Sequence, residues 1–251
     1  MRFPQYETQR SVFNMVKEII LETKEKAFRI IKEMLVNSPI KYSELIDSTL
    51  RLTLLRDWIK KYQPRPYYGS REELYEHIAR IIGQNTPISY LEFGVFKGAS
   101  LFSWTQLNAN EKSEFIGFDS FEGLPEDWPN LTRLLKQGTF STEGKPPVIE
   151  DTRVNFIKGW FQDTLPLFQN RFSSDKQIII HCDADIYSST MYILCKMDSN
   201  VRRGSIIIFD DFSIMLHDFR ALEDYTRAFR REYEVIGVAG YYSHVAIRFT
   251  K

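Results

Sequence analysis

The stretch SYLEFGVFKGASLFSW, Ser89–Trp104, begins as an extended apolar run, passes two glycines four residues apart and continues with apolar residues at helix spacing. Read outward from this strand, turn and helix, the chain keeps the same texture. The short β-rich runs ISYLEFG, EFIGFDS, RVNFIKG, QIIIHCD and SIIIFDD alternate with helical patterns. Strands alternating with helices predict βαβ units and a mostly parallel sheet covered on both faces. The last two runs, YEVIGVA and HVAIRFT, are joined only by GYYS, too short for a crossover helix, and predict an antiparallel hairpin. The fold class is therefore α/β, a Rossmann-like sheet with a C-terminal hairpin and a helical extension in front of it.

That extension covers residues 1–87, with the α/β domain at 88–251. Helix-spaced apolar residues run from about Arg10 to Trp58. The segment YQPRPYYGS then breaks the helical pattern, and Ser70 with Glu73 forms a capping box that opens a helix through REELYEHIARII to Gly83. The extensive apolar faces of the helices predict a homodimer interface and a cover for the substrate side of the cleft. Lys plus Arg equals Asp plus Glu at 33 each, which argues against a nucleic-acid reader. No apolar run approaches the ~20 residues of a membrane span, and MRFPQYETQR lacks the apolar core of a signal peptide. Two cysteines, Cys182 and Cys195, fit core thiols in a reducing compartment, so the expected location is the cytoplasm.

The glycine turn limits what can bind at the strand ends. GVFKGAS lacks the Lys-Ser that follows the last glycine of a triphosphate-binding loop. Phe96 stands where a dinucleotide site needs a glycine to admit pyrophosphate, which argues against a nicotinamide-dependent oxidoreductase. Asp119 closes the next strand and offers a carboxylate to two vicinal ribose hydroxyls. A nucleoside without pyrophosphate, with a small zwitterionic tail near Glu92 and the helix start, describes S-adenosylmethionine. Its expected contacts are Glu92, Gly94, Phe96, Gly98 and Ser100 around the turn, Asp119 and Ser120 after the second strand, and Asp183. Trp160 or Phe161, after the third strand, offers a flat surface for adenine.

HCDADIYSST ends the fourth strand and IIFDDF the fifth. With strands about 4.8 Å apart, Asp183 and the pair Asp210 and Asp211 converge at one sheet edge, where three carboxylates repel unless a cation lies between them. Oxygen ligands suit Mg²⁺, with Mn²⁺ or Ca²⁺ as competitors. His181 reads as a core histidine, and Ser188 or Ser189 as the cap of the following helix.

LEFGVFKGASL, GFDSFEGLPE, KGWFQDTLP, DADIYSST and IIFDDF, in this order, resemble the class I methyltransferases and specifically the macrocin O-methyltransferase (TylF-like) family. The resemblance implies metal-assisted methyl transfer from S-adenosylmethionine to a hydroxyl, often on a sugar of a natural product. It puts the metal on Asp183, Asp210 and Asp211 and the ribose on Asp119. DAD also looks like the metal strand of catechol-type methyltransferases, but Ile186 stands where those carry a lysine base. The proton acceptor is then Asp185 or Asp183, with His217 a weaker candidate. The rival outside enzymology is a noncatalytic helical scaffold carrying a decayed α/β domain. The acceptor is a small molecule or a glycoside.

Overall fold

The computed structural model describes residues 5–36, 43–129, 134–214 and 216–251. The helical pattern expected over Arg10–Trp58 becomes α1 (Gln5–Val36) and α2 (Ser43–Tyr62), and its middle part, 37–42, lies outside the described residues. The chain then runs β1 (Tyr67–Tyr68), α3 (Arg71–Ile82), β2 (Ile88–Phe93), α4 (Ala99–Leu107), β3 (Glu114–Asp119), β4 (Trp128–Pro129) and β5 (Leu134–Leu135). After these come β6 (Val154–Lys158), α5 (Phe161–Gln169), β7 (Gln177–Cys182), α6 (Tyr187–Met197), β8 (Ile206–Phe209), α7 (Asp218–Phe229), β9 (Tyr233–Ala239) and β10 (His244–Phe249).

Eight strands form one sheet in the order β1-β9-β10-β8-β7-β2-β3-β6. β8, β7, β2, β3 and β6 are parallel, and β10 runs antiparallel to both β8 and β9, which realises the expected hairpin. Succession reverses between β2 and β7. A crevice opens there at the C-terminal ends of the strands, where open α/β sheets bind ligands.

Every residue of β2 is buried, as a central strand covered on both faces requires. Its alternate residues enter two cores. Leu91 and Phe93 join Ile180, Phe209, Ile193 and Phe219 on the face covered by α5, α6 and α7, whereas Ile88 and Tyr90 join Leu74, Ile78 and Trp104 under α3 and α4. Ser70 accepts the Glu73 N–H and Gly83 ends the helix at a positive φ, so α3 has the boundaries the capping box predicts.

Contacts divide the chain at Ile46/Asp47, well before residue 88. The physical reason is that α2 buries Leu55 and Trp58 in one core and α3 buries Leu74 and Ile78 in the other: Trp58 lies among Tyr62, Phe212 and Phe219, and its indole N–H donates to Tyr233 Oη at 2.8 Å. In α1 the described side chains are exposed, Ile20, Leu21, Phe28, Ile30 and Ile31 among them. α6 is not capped by Ser188 or Ser189, because the chain enters it through Asp185, at φ 60°, and Ile186, so that both serines fall inside the first turn. There Ser188 donates to Glu126 Oε1 at 2.8 Å.

Trp58→Ala should lower unfolding free energy by about 3–5 kcal/mol, since it empties an aromatic site and orphans a hydrogen bond. Denaturant titration measures this, and an unchanged midpoint would detach α2 from the core.

Candidate active site

The turn after β2 is held from three sides. Gly94, at φ 92°, lies against the end of β7 so closely that a Cβ there would stand 1.7 Å from the Asp183 carbonyl oxygen. Its N–H donates to Phe118 O at 3.0 Å, and the Asp183 N–H donates to Phe93 O at 2.9 Å. Asp119 closes the third side: Oδ2 accepts the N–H groups of Val95 and Phe96 at 2.8 and 2.9 Å, and Oδ1 accepts that of Phe121 at 2.7 Å. These bonds hold Phe96 at φ 49° without a glycine. Gly98 serves a different neighbour, as a Cβ there would meet Pro147 Cγ at 2.9 Å.

Glu92 and Ser100 lie beneath the turn and do not line the cavity. Glu92 accepts hydrogen bonds from Tyr90 Oη at 2.6 Å and Ser100 Oγ at 2.8 Å. His181 stands beside it. Its Nδ1 meets Tyr90 Oη at 2.7 Å and lies 3.6 Å from Glu92, and its Nε2 lies 3.6 Å from Asp210. Burial alone would lower its pKa, but the Asp210 and Glu92 carboxylates outweigh that and raise it to about 10. His181 is thus buried as expected, yet it bridges two acids instead of packing as a neutral ring.

Five carboxylates meet above β7, β8 and the start of α7. Ligand atoms of Asp183, Asp185 and Asp211 lie within 4.8 Å of one another, and so do those of His181, Asp183 and Asp210. The expected trio is therefore split, with Asp183 shared and Asp185 in the all-oxygen set. Burial, then the charge of Asp210, pushes Asp183 well above the usual carboxylate range. Burial and Asp211 raise Asp185 to about 8, and burial and Asp210 raise Asp211 to about 6. Burial also lifts Asp218 to about 7, although Thr190 donates to it at 2.6 Å. Asp210 shifts the other way, because His181, His244 and Arg71 outweigh its burial and lower its pKa. Its Oδ1 is buried and makes no hydrogen bond, with His244 Nδ1 at 3.3 Å. Acids driven toward the protonated state by burial and by one another, with oxygen donors in a cluster, fit a hard divalent cation.

A cavity of about 360 Å³ joins these parts, within the range of small-molecule sites. Phe96, Asp119, Ser120, Trp160 and Phe161 line one end, and Asp183, Asp185, Asp210 and Asp211 the other. Leu124, Trp128, Leu135 and Phe140 contribute apolar wall. His217 is buried and receives the Tyr187 N–H at 3.1 Å, and it does not line the cavity. Sequence reasoning missed Arg71, Trp128 and Phe140. Only Arg71 carried a signal, its place directly after the capping serine.

A strand-end crevice, a glycine turn with Phe96 in place of a second glycine and an acidic edge fit a class I methyltransferase. Residues 68–241 match Macrocin-O-methyltransferase (TylF), and the chain belongs to that family. It is 24% identical over 201 residues to demethyldecarbamoylnovobiocin O-methyltransferase of Streptomyces niveus, covering 73% of this chain and 75% of that one. It is 26% identical over 188 residues to 8-demethyl-8-(2,3-dimethoxy-alpha-L-rhamnosyl)-tetracenomycin-C 4'-O-methyltransferase of Streptomyces olivaceus, covering 66% and 70%. Among solved structures, the O-methyltransferase NovP superposes with a TM-score of 0.56 at 21% identity over 72% of this chain and 80% of that one. Calicheamicin methyltransferase CalS11 does so at 0.53 and 20%, over 90% and 92%. The protein is an S-adenosylmethionine-dependent O-methyltransferase. No helix among the described residues is long and apolar enough to cross a membrane.

Asp119→Ala releases three backbone N–H groups at once and should cost about 1–3 kcal/mol of folding stability in denaturant titration. Asp119→Asn, which keeps one acceptor oxygen, should cost less. Equal stability of all three proteins would mean that the turn holds itself.

Proposed function

We propose that the enzyme methylates a hydroxyl on a sugar carried by a natural product, with Mg²⁺ or another divalent cation at the acidic edge. The observation that carries the metal is the cluster of Asp183, Asp185 and Asp211 in oxygen-ligand range, beside the turn that receives the cofactor. The acceptor class is supported by relatives named for novobiocin and for a rhamnosyl tetracenomycin.

When bound, S-adenosylmethionine supplies an electrophilic methyl group, and a divalent ion would lower the pKa of an acceptor hydroxyl and fix its direction. The chain's own residues do the rest. Asp119 and Ser120, which line the cavity, would take the ribose, and Trp160 and Phe161 would border the adenine. Gly94 lets the backbone of the turn pass beside Asp183, so the turn and the acidic cluster would flank the methyl-bearing end of a bound cofactor. Asp183, Asp185 and Asp211 would hold the cation from two adjacent strand ends, with Asp210 beside them, and Asp185 or Asp183 would accept the hydroxyl proton. Leu124, Trp128 and Leu135 exclude water from the acceptor end, so that the reacting atoms are held in line in a site of low polarity.

The role assigned to the N-terminal helices narrows to residues 1–46, because α3 and most of α2 belong to the sheet-bearing unit. The exposed apolar side chains of α1 support contact with a second copy of the chain. Free thiols at Cys182 and Cys195 support a cytoplasmic location.

Methylation of an aglycone-linked sugar should fall by at least tenfold in chelator and return with Mg²⁺, and Asp211→Asn should require more Mg²⁺ for the same rate. Full activity in chelator, with no bound metal by elemental analysis, contradicts the metal role. Cation affinity should rise between pH 6 and pH 9, because Asp185 at about 8 and Asp211 at about 6 must lose protons before they bind a cation. Calorimetric Mn²⁺ titrations at three pH values measure this, and a flat profile would remove Asp185 from the ligands.

A further inference from the structure

The cofactor assigned to this cavity is unevenly charged. Its sulfonium and α-ammonium are positive and suit an acidic surface. Its α-carboxylate does not, and it needs a donor among carboxylates.

The turn has few donors left to give. The Gly94 N–H is bound to Phe118 O, those of Val95 and Phe96 to Asp119 Oδ2, and that of Gly98 to Val95 O. Ser100 Oγ is committed to Glu92. At the β7–β8 end, the polar lining among the described residues consists of Asp183, Asp185, Asp210, Asp211, Ser189 and the cation Arg71. Arg71 is the first residue of α3, and its place is set by the cap beside it. The Glu73 N–H meets Ser70 Oγ at 3.3 Å, and Glu73 Oε2 accepts the Gly69 N–H at 2.8 Å. One turn on, the buried Tyr75 packs edge-on against His181. The guanidinium therefore starts from a fixed backbone.

Arg71 is incompletely used by the protein. Nε reaches Glu72 Oε1 at 3.2 Å, and Nη1 reaches Asp210 Oδ2 at 3.4 Å, at the long end of hydrogen bonding. Neither bond uses Nη2, and a third of the side chain is exposed. A planar fork with spare N–H groups matches a carboxylate in bidentate fashion.

Resting on the cofactor reading above, we infer that Arg71 binds the α-carboxylate of the methionyl end of S-adenosylmethionine. This orients the cofactor across the sheet, with the nucleoside over β3 and β6, the sulfur beside the Gly94 turn and the amino-acid end toward α3. It also places Asp210 between Arg71 and the acidic cluster, so one carboxylate faces both the cofactor's anchor and the cation.

The test compares S-adenosylhomocysteine with its decarboxylated analogue, which keeps the thioether and the amine, by calorimetry on the wild type, Arg71→Met and Arg71→Lys. The wild type should prefer S-adenosylhomocysteine by roughly tenfold to a hundredfold, the worth of a charge-assisted bidentate pair. In Arg71→Met the preference should vanish through weaker S-adenosylhomocysteine binding alone. The analogue should bind as before or tighter, because a cation near its ammonium is gone. Arg71→Lys should restore part of the preference. Equal weakening of both ligands would make Arg71 a scaffold residue, and unchanged S-adenosylhomocysteine affinity would assign it to an anionic group on the acceptor; either result overturns the inference. A wild type that binds both nucleosides equally overturns Arg71 alone. One that binds neither overturns the cofactor reading as well.

Discussion

The active site depends on one close approach, that of the Gly94 backbone to the Asp183 carbonyl. Two strands that are neighbours in the sheet but distant in sequence meet there with no side chain between them. A methyl group at residue 94 would enter the van der Waals volume of the carbonyl oxygen, at 1.7 Å. The turn that shapes the cofactor side and the strand end that carries the acids are thereby fixed to each other through backbone. The N–H of Asp183 bonds to Phe93 and the N–H of Gly94 to Phe118, which extends the junction across three strands. Sheet order makes this possible, since β2 and β7 flank the point where the succession of strands reverses.

A second set of contacts lies below that junction and carries charge. Ser100, Glu92, Tyr90, His181 and Asp210 form a buried line from the start of α4 to the end of β8. Buried charges are tolerated where they are paired and hydrogen-bonded, and here a cationic imidazole faces an acid on either side. This arrangement explains why adjacent aspartates behave differently. Asp210 has basic neighbours that hold it ionised, whereas in Asp211, next in sequence, burial and the charge of Asp210 raise the pKa to about 6.

Strand and helix order was legible because β-branched and aromatic runs of five to seven residues recur between helical patterns, and the four-residue GYYS linker forbids a crossover. The acids were legible because they close apolar runs. Their pairing was not, because which carboxylate meets which is decided by backbone bends after the strands. Asp185 sits at φ 60°, and that bend brings it into the all-oxygen group while Asp210 turns toward His181. Glu92 was read as facing a ligand because it precedes the glycine, but alternation along β2 sends it into the same core as Tyr90. α2 and α3 were separated from the α/β domain because helical texture marks an element and does not reveal what it packs against. Arg71 stood inside a recognised cap, and nothing in its local sequence shows that the tertiary fold aims it at Asp210.

The two-residue strand β1 has a consequence for how copies of this enzyme can meet. Tyr67 and Tyr68 pair in parallel with Val238 and Ala239, so the β9 margin of the sheet is covered by a segment too short to template another strand. The opposite margin, β6, is five residues long and places Asn155 and the lysine Lys158 outward. A brief edge and a charged edge both discourage the backbone pairing that drives sheet-to-sheet polymerisation. Growth of the sheet across molecules is therefore disfavoured at both of its margins.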